Sequence, residues 1–308
     1  MGVVGDNAHG PAQTKGFCAA FFKKRPFLAD TAGKRYTHAM LLPHLTFHHS
    51  LLWSTLQALS AREWLILICT LLVGGLVKGV VSIGVPLVAV PLLTGILSVK
   101  QAVLLLSLPI MIGNVPQAFE GGHTWKTLQQ IGFLVIGTVI GIALGVKILL
   151  SISGNLAVGL AGIILVTACL ALLVAPKFKL PKQSAAPTGL VVGFACGLME
   201  GISAIPGPLL ATYLLATGAT GKQFTKQIAL VLIISIAALI ITFGQSRHAG
   251  GADLLFSALA AIPVVIGILL GRPLRDALPP AVFRAVVLIF ILFAAGQMIL
   301  RSHLLAPL

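Results

Sequence analysis

Two charged residues stand in the middle of long apolar stretches of this 308-residue chain. Lys78 lies between a valine and a glycine, and Glu200 lies between a methionine and a glycine. Because a charge inside a lipid bilayer is costly, such side chains usually face a cavity or pair with one another. We predict that the two meet at an internal interface, either as an ion pair or as an anion-binding lysine with a proton-titrating partner. A salt bridge that only fixes packing is the alternative interpretation.

Glycines, prolines and small polar residues interrupt the same two stretches. A break in a membrane helix frees backbone N–H and C=O groups, which lipid tolerates only where they line a cavity or contact a substrate. Helix N-termini at such a break carry partial positive charge and favour an anion. Packing through small residues is the alternative for the glycines, and interhelical hydrogen bonding for the amides. Two side-chain amides, Asn114 and Gln117, lie in the apolar stretch that follows Lys78 and add hydrogen-bond donors. The predicted anion site comprises Lys78, Ser82, Gly84, Pro86, Asn114, Gln117, Ser203, Gly207 and Pro208.

The composition places these stretches in a membrane. Apolar residues make up 57% of the chain and charged residues 9%, whereas soluble globular proteins have about 45–50% and about 25%. The mean hydropathy is +1.04. So few charges cannot cover the surface of a soluble protein, and the chain is too apolar to be disordered. We predict an all-α polytopic membrane protein in contact with the lipid bilayer.

Several other classes of protein are excluded. The net charge of +14 would suggest nucleic acid in a soluble protein, but here most of the basic residues lie before the first long apolar stretch or in short links between stretches. There is no basic domain interleaved with aromatic residues, so we expect no nucleic-acid partner. The four cysteines form no CxxC pair, and no nucleotide-binding or hydrolase motif occurs. We therefore expect no metal, no other cofactor and no enzyme activity.

Eight apolar segments follow residue 63. About 20 helical residues cross the roughly 30 Å hydrocarbon core, and six of the segments fit one crossing each. Segments 64–97 and 187–217 are too long for a single crossing and carry glycine and proline at their centres. We predict that each is a broken helix, a helical hairpin or a re-entrant element.

The two long segments also match each other. Gly75–Leu93 and Gly197–Leu215 are identical at nine of 19 positions, and Lys78 is equivalent to Glu200. If each long segment folds back, each half has an odd number of crossings, and the halves are inverted repeats. We favour this over a parallel repeat. The predicted organisation is a basic N-terminal tail (1–63), transmembrane repeat 1 (64–175), a linker (176–186), transmembrane repeat 2 (187–300) and a C-terminal tail (301–308).

One stretch in each half carries a further signal. These stretches are GVVSIGVPLVAVPLL, residues Gly79–Leu93, and GISAIPGPLLATYLL, residues Gly201–Leu215. Their order and duplication resemble the sulfite exporter TauE/SafE family, also called the 4-toluene sulfonate uptake permease family. The likeness extends over residues 64–300. It implies a multi-pass protein of the bacterial inner membrane that is built from two homologous halves.

The resemblance also implies a function. It implies secondary transport, in the export direction, of a small sulfur-containing anion such as sulfite or an organosulfonate, coupled to protons or driven by the anion gradient. The residues by themselves point to an anion at a midplane site. They leave open a carrier of a carboxylate and a non-transporting accessory membrane subunit. Neither the residues nor the resemblance indicates an oligomeric state.

Overall fold

The computed structural model describes residues 50–81, 84–174, 180–246, 249–277 and 280–302. The rest of the predicted N-terminal tail, part of the predicted linker and the last six residues lie outside these ranges. In chain order the helices of the described ranges are α1 (Trp53–Ala58), α2 (Ala61–Val81), α3 (Val85–Leu93), α4 (Val99–Phe119), α5 (Thr124–Gln130), α6 (Gly132–Ser151), α7 (Gly154–Val174), α8 (Lys182–Ser203), α9 (Gly207–Ala216), α10 (Gly221–Gln245), α11 (Gly251–Ala277) and α12 (Pro280–Arg301).

Seven helices of the described residues are long and apolar enough to cross a membrane. They are α2, α4, α6, α7, α8, α10 and α11. Two shorter apolar stretches accompany them, one formed by α9 and one by the last turns of α12. No strand occurs in the described residues. The predicted all-α, multi-pass membrane protein is therefore confirmed.

Each of the two long apolar segments is divided into two helices, as predicted. In the first, α3 begins after Gly84, whose φ of 127° suits glycine and strains other residues. In the second, α8 is followed by Ala204 in the left-handed conformation, with a φ of 59°. Pro86 and Pro208 lie in the first turn of α3 and α9. There the missing N–H of proline removes no intrahelical hydrogen bond.

In both segments the second helix folds back along the first. A Cβ atom added to Gly74 of α2 would lie 3.5 Å from Val85 Cγ1 and 3.6 Å from Ala89 Cβ, both in α3. In the other segment the Tyr213 hydroxyl of α9 donates to the backbone carbonyl of Ala185, near the start of α8, at 2.7 Å. The short helices α3 and α9 have nine and ten residues. They are therefore about half as long as the hydrocarbon core is thick.

Helices α6 and α8 pack backbone to backbone at glycines. A Cβ atom added to Gly137 would lie 2.2 Å from the carbonyl oxygen of Leu190, and one added to Gly141 would lie 2.2 Å from that of Phe194. Real Cβ atoms do not come this close, so these positions require glycine for the helices to touch. The contacts advance in the same order along both helices, which therefore run parallel.

Helices α2 and α11 form a second pair of the same kind. A Cβ atom added to Gly75 would lie 2.2 Å from the carbonyl oxygen of Val264, and one added to Gly79 would lie 2.5 Å from that of Ile268. These contacts also advance in the same order along both helices. The long first helix of each broken segment is thus held against a helix that is distant in sequence.

Helix α10 begins where α4 ends. Lys226, in the second turn of α10, is buried, and its Nζ donates to the backbone carbonyls of Glu120 and Gly122 directly after α4. The two helices therefore enter the bundle from opposite ends.

Residues 50–58, at the end of the predicted tail, pack against the bundle. Leu52 and Leu56 are buried in the main apolar core. The carboxylate of Asp253, at the start of α11, accepts hydrogen bonds from the Ser50 hydroxyl at 2.6 Å and from the Leu52 backbone N–H at 2.8 Å. Helix α1 is thus fixed to the same end of the bundle at which α11 begins.

The glycine contacts predict a large effect from one methyl group. We expect Gly141→Ala to lower the free energy of unfolding by about 1–3 kcal/mol, because the added Cβ overlaps the backbone of α8. Gly244→Ala is the matched control, since a Cβ at Gly244 meets no atom within 4 Å. Thermal unfolding in detergent measures both variants. Equal unfolding temperatures would contradict the close packing of α6 on α8.

Candidate functional site

A cavity lies where the two helix breaks meet. Gly84 and Pro86, at the start of α3, line it from one side, and Gly207 and Pro208, at the start of α9, line it from the other. The first N–H groups of a helix have no intrahelical partner, and they give the N-terminus a partial positive charge. Two helix N-termini, far apart in the sequence, therefore contribute positive potential to one cavity.

Lys78 also lines this cavity, close to the end of α2. Its side chain is only 6% exposed, and its Nζ donates to Asn114 Oδ1 of α4 at 2.8 Å. Asn114 Nδ2 in turn donates to the backbone carbonyl of Ile110 at 2.6 Å, which orients the amide oxygen towards the lysine. An ammonium group carries three N–H bonds. The bond to Asn114 leaves two of them for a ligand.

The packing of α2 explains why Lys78 is held at this place. Its neighbour Gly79 is in backbone contact with α11, so the end of α2 cannot shift without losing that contact. On the other side, a Cβ atom added to Gly113 would lie 3.5 Å from Lys78 Cε. The glycine before Asn114 thus leaves room for the lysine stem.

Glu200 occupies a different environment. It is fully buried in α8 and does not line the cavity. Its Oε1 accepts a hydrogen bond from the Ser235 hydroxyl of α10 at 2.7 Å, and its Oε2 has no hydrogen-bond partner among the described residues.

The two buried charges do not form an ion pair in this structure. Within the described part of the chain, the ammonium of Lys78 bonds to an amide and the carboxyl group of Glu200 bonds to a hydroxyl. Of the two predicted arrangements, the ion pair is absent here. The alternative, an anion-binding lysine with a separate proton-titrating acid, stays a prediction.

The structure brings together most of the predicted site residues. Two predicted members do not line the cavity. Gln117 lies one turn further along α4, and the Ser203 hydroxyl donates to the carbonyl of Met199 within α8. Ser82 lies outside the described residues. The predicted residues that line the cavity together are Lys78, Gly84, Pro86, Asn114, Gly207 and Pro208.

Sequence reasoning missed the apolar walls of the cavity. They come from both breaks and from α4 and α10, where they are ordinary members of apolar helices that no chemical motif distinguishes. Ile228 and Leu232 are four residues apart in α10, so they share one helix face, but that signal occurs throughout the chain. The apolar wall residues are Val85, Leu87, Ile110, Ala204, Ile205, Ile228 and Leu232, and Pro206 of the second break lines the cavity beside them.

No metal site accompanies the cavity in the described ranges. No group of three histidine, cysteine, aspartate or glutamate side chains lies close enough there to hold an ion. Among the lining residues that the structure describes, Lys78 is the one charged residue.

A multi-pass helical bundle with broken helices around a buried, positively charged cavity is typical of membrane transporters. The chain belongs to the sulfite exporter TauE/SafE family, whose model matches residues 66–298. No curated protein and no solved structure matches the chain. The predicted family is confirmed, and with it a membrane transport protein that acts on a small molecule.

The contact between lysine and amide predicts a specific dependence. We expect Asn114→Leu to lower the free energy of unfolding by about 1.5–3 kcal/mol, because the buried ammonium loses the acceptor that the structure gives it. Lys78→Met in the same protein should remove most of that loss. A double-mutant cycle of unfolding temperatures measures the coupling. If the two effects simply add, the hydrogen bond does not hold the lysine.

Proposed function

We propose that the protein is a secondary carrier that exports small sulfur-containing oxyanions, with sulfite as the first candidate, across a bacterial inner membrane. One observation carries the proposal: Lys78 and the N-termini of α3 and α9 line the same buried cavity. Membership of a sulfite exporter family supports sulfite as the substrate.

The charges around the cavity favour an anion. Among the described residues that line it, the only charged one is a lysine and none is acidic. The backbone N–H groups of the two short helices, where they are not proline, add donors. An oxyanion presents several acceptor oxygens, so it suits a site with donors on two sides.

The size of the cavity favours a compact anion. Its volume is about 30 Å³ for the centres of water-sized molecules, and one water needs about 10–15 Å³ by that measure. Two or three water-sized groups fit, which supports sulfite over an aromatic sulfonate. A small carboxylate has a similar size, so the binding test includes carboxylates as competitors.

We further propose that residues 64–175 and 187–300 are inverted repeats and that the long first helix of each repeat packs on a helix of the other. Helix α2 of the first half packs on α11 of the second, and the equivalent α8 of the second half packs on α6 of the first. Helices α4 and α10 enter from opposite ends. These contacts support a pseudo-twofold arrangement in which the anion site lies between halves that can rock against each other.

Counterflow of labelled sulfite in proteoliposomes tests the carrier. We expect saturable exchange by the wild-type protein and a loss of about 10–100-fold in Lys78→Met, the cost of removing a charged hydrogen-bond donor. Lys147→Met is the matched control, because Lys147 is exposed on α6. It should exchange sulfite at the wild-type rate.

Competing sulfonates and carboxylates in the same assay rank the substrates. Competition by sulfite and small sulfonates, with weak competition by carboxylates, is the expected result. If folded wild-type protein exchanges none of these anions, the proposal of an oxyanion carrier is wrong, and an accessory membrane subunit is the remaining alternative. If carboxylates compete more strongly than sulfite and sulfonates, a carboxylate replaces sulfite as the proposed substrate.

A further inference from the structure

The second buried charge has properties that the anion cavity does not explain. Glu200 is fully buried, and its Oε2 has no hydrogen-bond partner among the described residues. Its Oε1 is held by the Ser235 hydroxyl at 2.7 Å. A packing residue at this place would need no ionisable group, so a carboxyl group with a free oxygen calls for a ligand.

No cation compensates Glu200 within the described part of the chain. Cys196, one turn earlier on α8, is the nearest ionisable group on its own helix. The other ionisable side chains of the helices around it are a cysteine and a tyrosine, which carry no positive charge, and lysines that are exposed or bonded to other groups. They are Lys100, which donates to the Leu150 carbonyl; exposed Lys147; buried Cys169; Tyr213, which donates to the Ala185 carbonyl; exposed Lys222, paired with Glu120; and Lys226, which donates to the carbonyls after α4.

The ligand that suits this place is a proton. An isolated carboxylate away from water is strongly disfavoured, and binding a proton removes the charge. The free Oε2 can carry that proton. A metal ion would need further ligands, and the described residues supply no such group.

Hydrogen bonds link Glu200 to two parts of the cavity lining, one directly after α8 and one in α10. Its backbone carbonyl accepts a hydrogen bond at 2.7 Å from the N–H of Ala204, which lines the cavity and has the left-handed conformation of the break. The hydroxyl oxygen of its partner Ser235 also lies 3.0 Å from the carbonyl oxygen of Leu232, another lining residue. Glu200 is therefore connected to the cavity lining in two ways, through its own backbone to Ala204 and through Ser235 to Leu232.

We propose that Glu200 is the proton-binding site of the carrier and that its proton and the anion at Lys78 bind cooperatively and cross the membrane together. The inference rests on the proposed oxyanion transport. A carboxylate behind the cavity repels an anion through an interior of low dielectric constant, and protonation removes that repulsion. By linkage, the anion favours the proton to the same extent. An outward anion gradient then carries protons outward.

Accumulation of a sulfonate driven by a pH gradient tests the coupling, because a sulfonate, unlike sulfite, does not itself bind a proton near neutral pH. Proteoliposomes receive labelled methanesulfonate outside, a lumen one pH unit more alkaline than the medium, and a membrane potential clamped at zero with potassium and valinomycin. At one proton per anion, the wild-type protein should accumulate methanesulfonate up to about tenfold. Protein-free liposomes supply the baseline.

Glu200→Gln separates the proton from the anion. Glutamine keeps the size of the side chain and an acceptor for Ser235, but it cannot exchange a proton. We expect counterflow within about twofold of wild type and accumulation at the protein-free baseline. Glu120→Gln is the matched control, because it makes the same change at an exposed acid. It should accumulate methanesulfonate about tenfold, like wild type.

Three results would overturn the proposal. Wild-type protein that performs counterflow without accumulation shows an uncoupled carrier, and Glu200→Gln that accumulates like wild type places the proton elsewhere. Neither result contradicts the proposed anion site. Absence of counterflow in the wild-type protein, in contrast, would contradict the proposed carrier function itself. If Glu200→Gln does not fold, modification of wild-type Glu200 by dicyclohexylcarbodiimide, located by mass spectrometry, should abolish accumulation. Modified protein that still accumulates methanesulfonate is the third.

Discussion

Contact between helix backbones at glycine is the constraint on which the rest of the structure depends. In both glycine-paired sets the glycine that follows the buried charge takes part: a Cβ atom at Gly79 would lie 2.5 Å from a carbonyl of α11, and one at Gly201 would lie 2.8 Å from a backbone nitrogen of α6. In lipid, helices gain little from apolar burial against each other, so close packing of small residues holds them together. That packing fixes the ends of α2 and α8, and hence the place of Lys78 and Glu200.

The fixed ends of α2 and α8 place both helix breaks at one cavity. Because α2 and α8 cannot slide on their partners, the short helices that follow begin at the same cavity, and their N-termini add to the charge of one lysine. The acid in the equivalent position is kept out of the cavity and is bonded to a serine. A carboxylate inside the cavity would cancel the lysine. Its separation keeps the cavity positive while it leaves an ionisable group one turn away.

Much of this architecture was predictable from local patterns. The apolar content predicted the membrane bundle, and glycine and proline predicted the positions of both helix breaks, because those residues limit backbone conformation wherever they occur. The cavity lining was only partly predictable. Gln117 is one turn beyond Asn114 and misses the cavity, and the Ser203 hydroxyl bonds within its own helix. Which face of a helix meets a cavity depends on neighbours that are far away in the sequence.

The sequence by itself determined the class of protein, its family, the two breaks and the two buried charges, since each depends on the type of residue and its near neighbours. Only the tertiary structure decided how the charges are used. Equivalent positions in two matching segments suggested an ion pair, but Lys78 bonds to Asn114 and Glu200 to Ser235. The physical reason is packing between helices that are far apart in the sequence. Each charged helix packs on a distant helix at its glycines, and this long-range contact, which no local pattern encodes, sets the direction in which each side chain points.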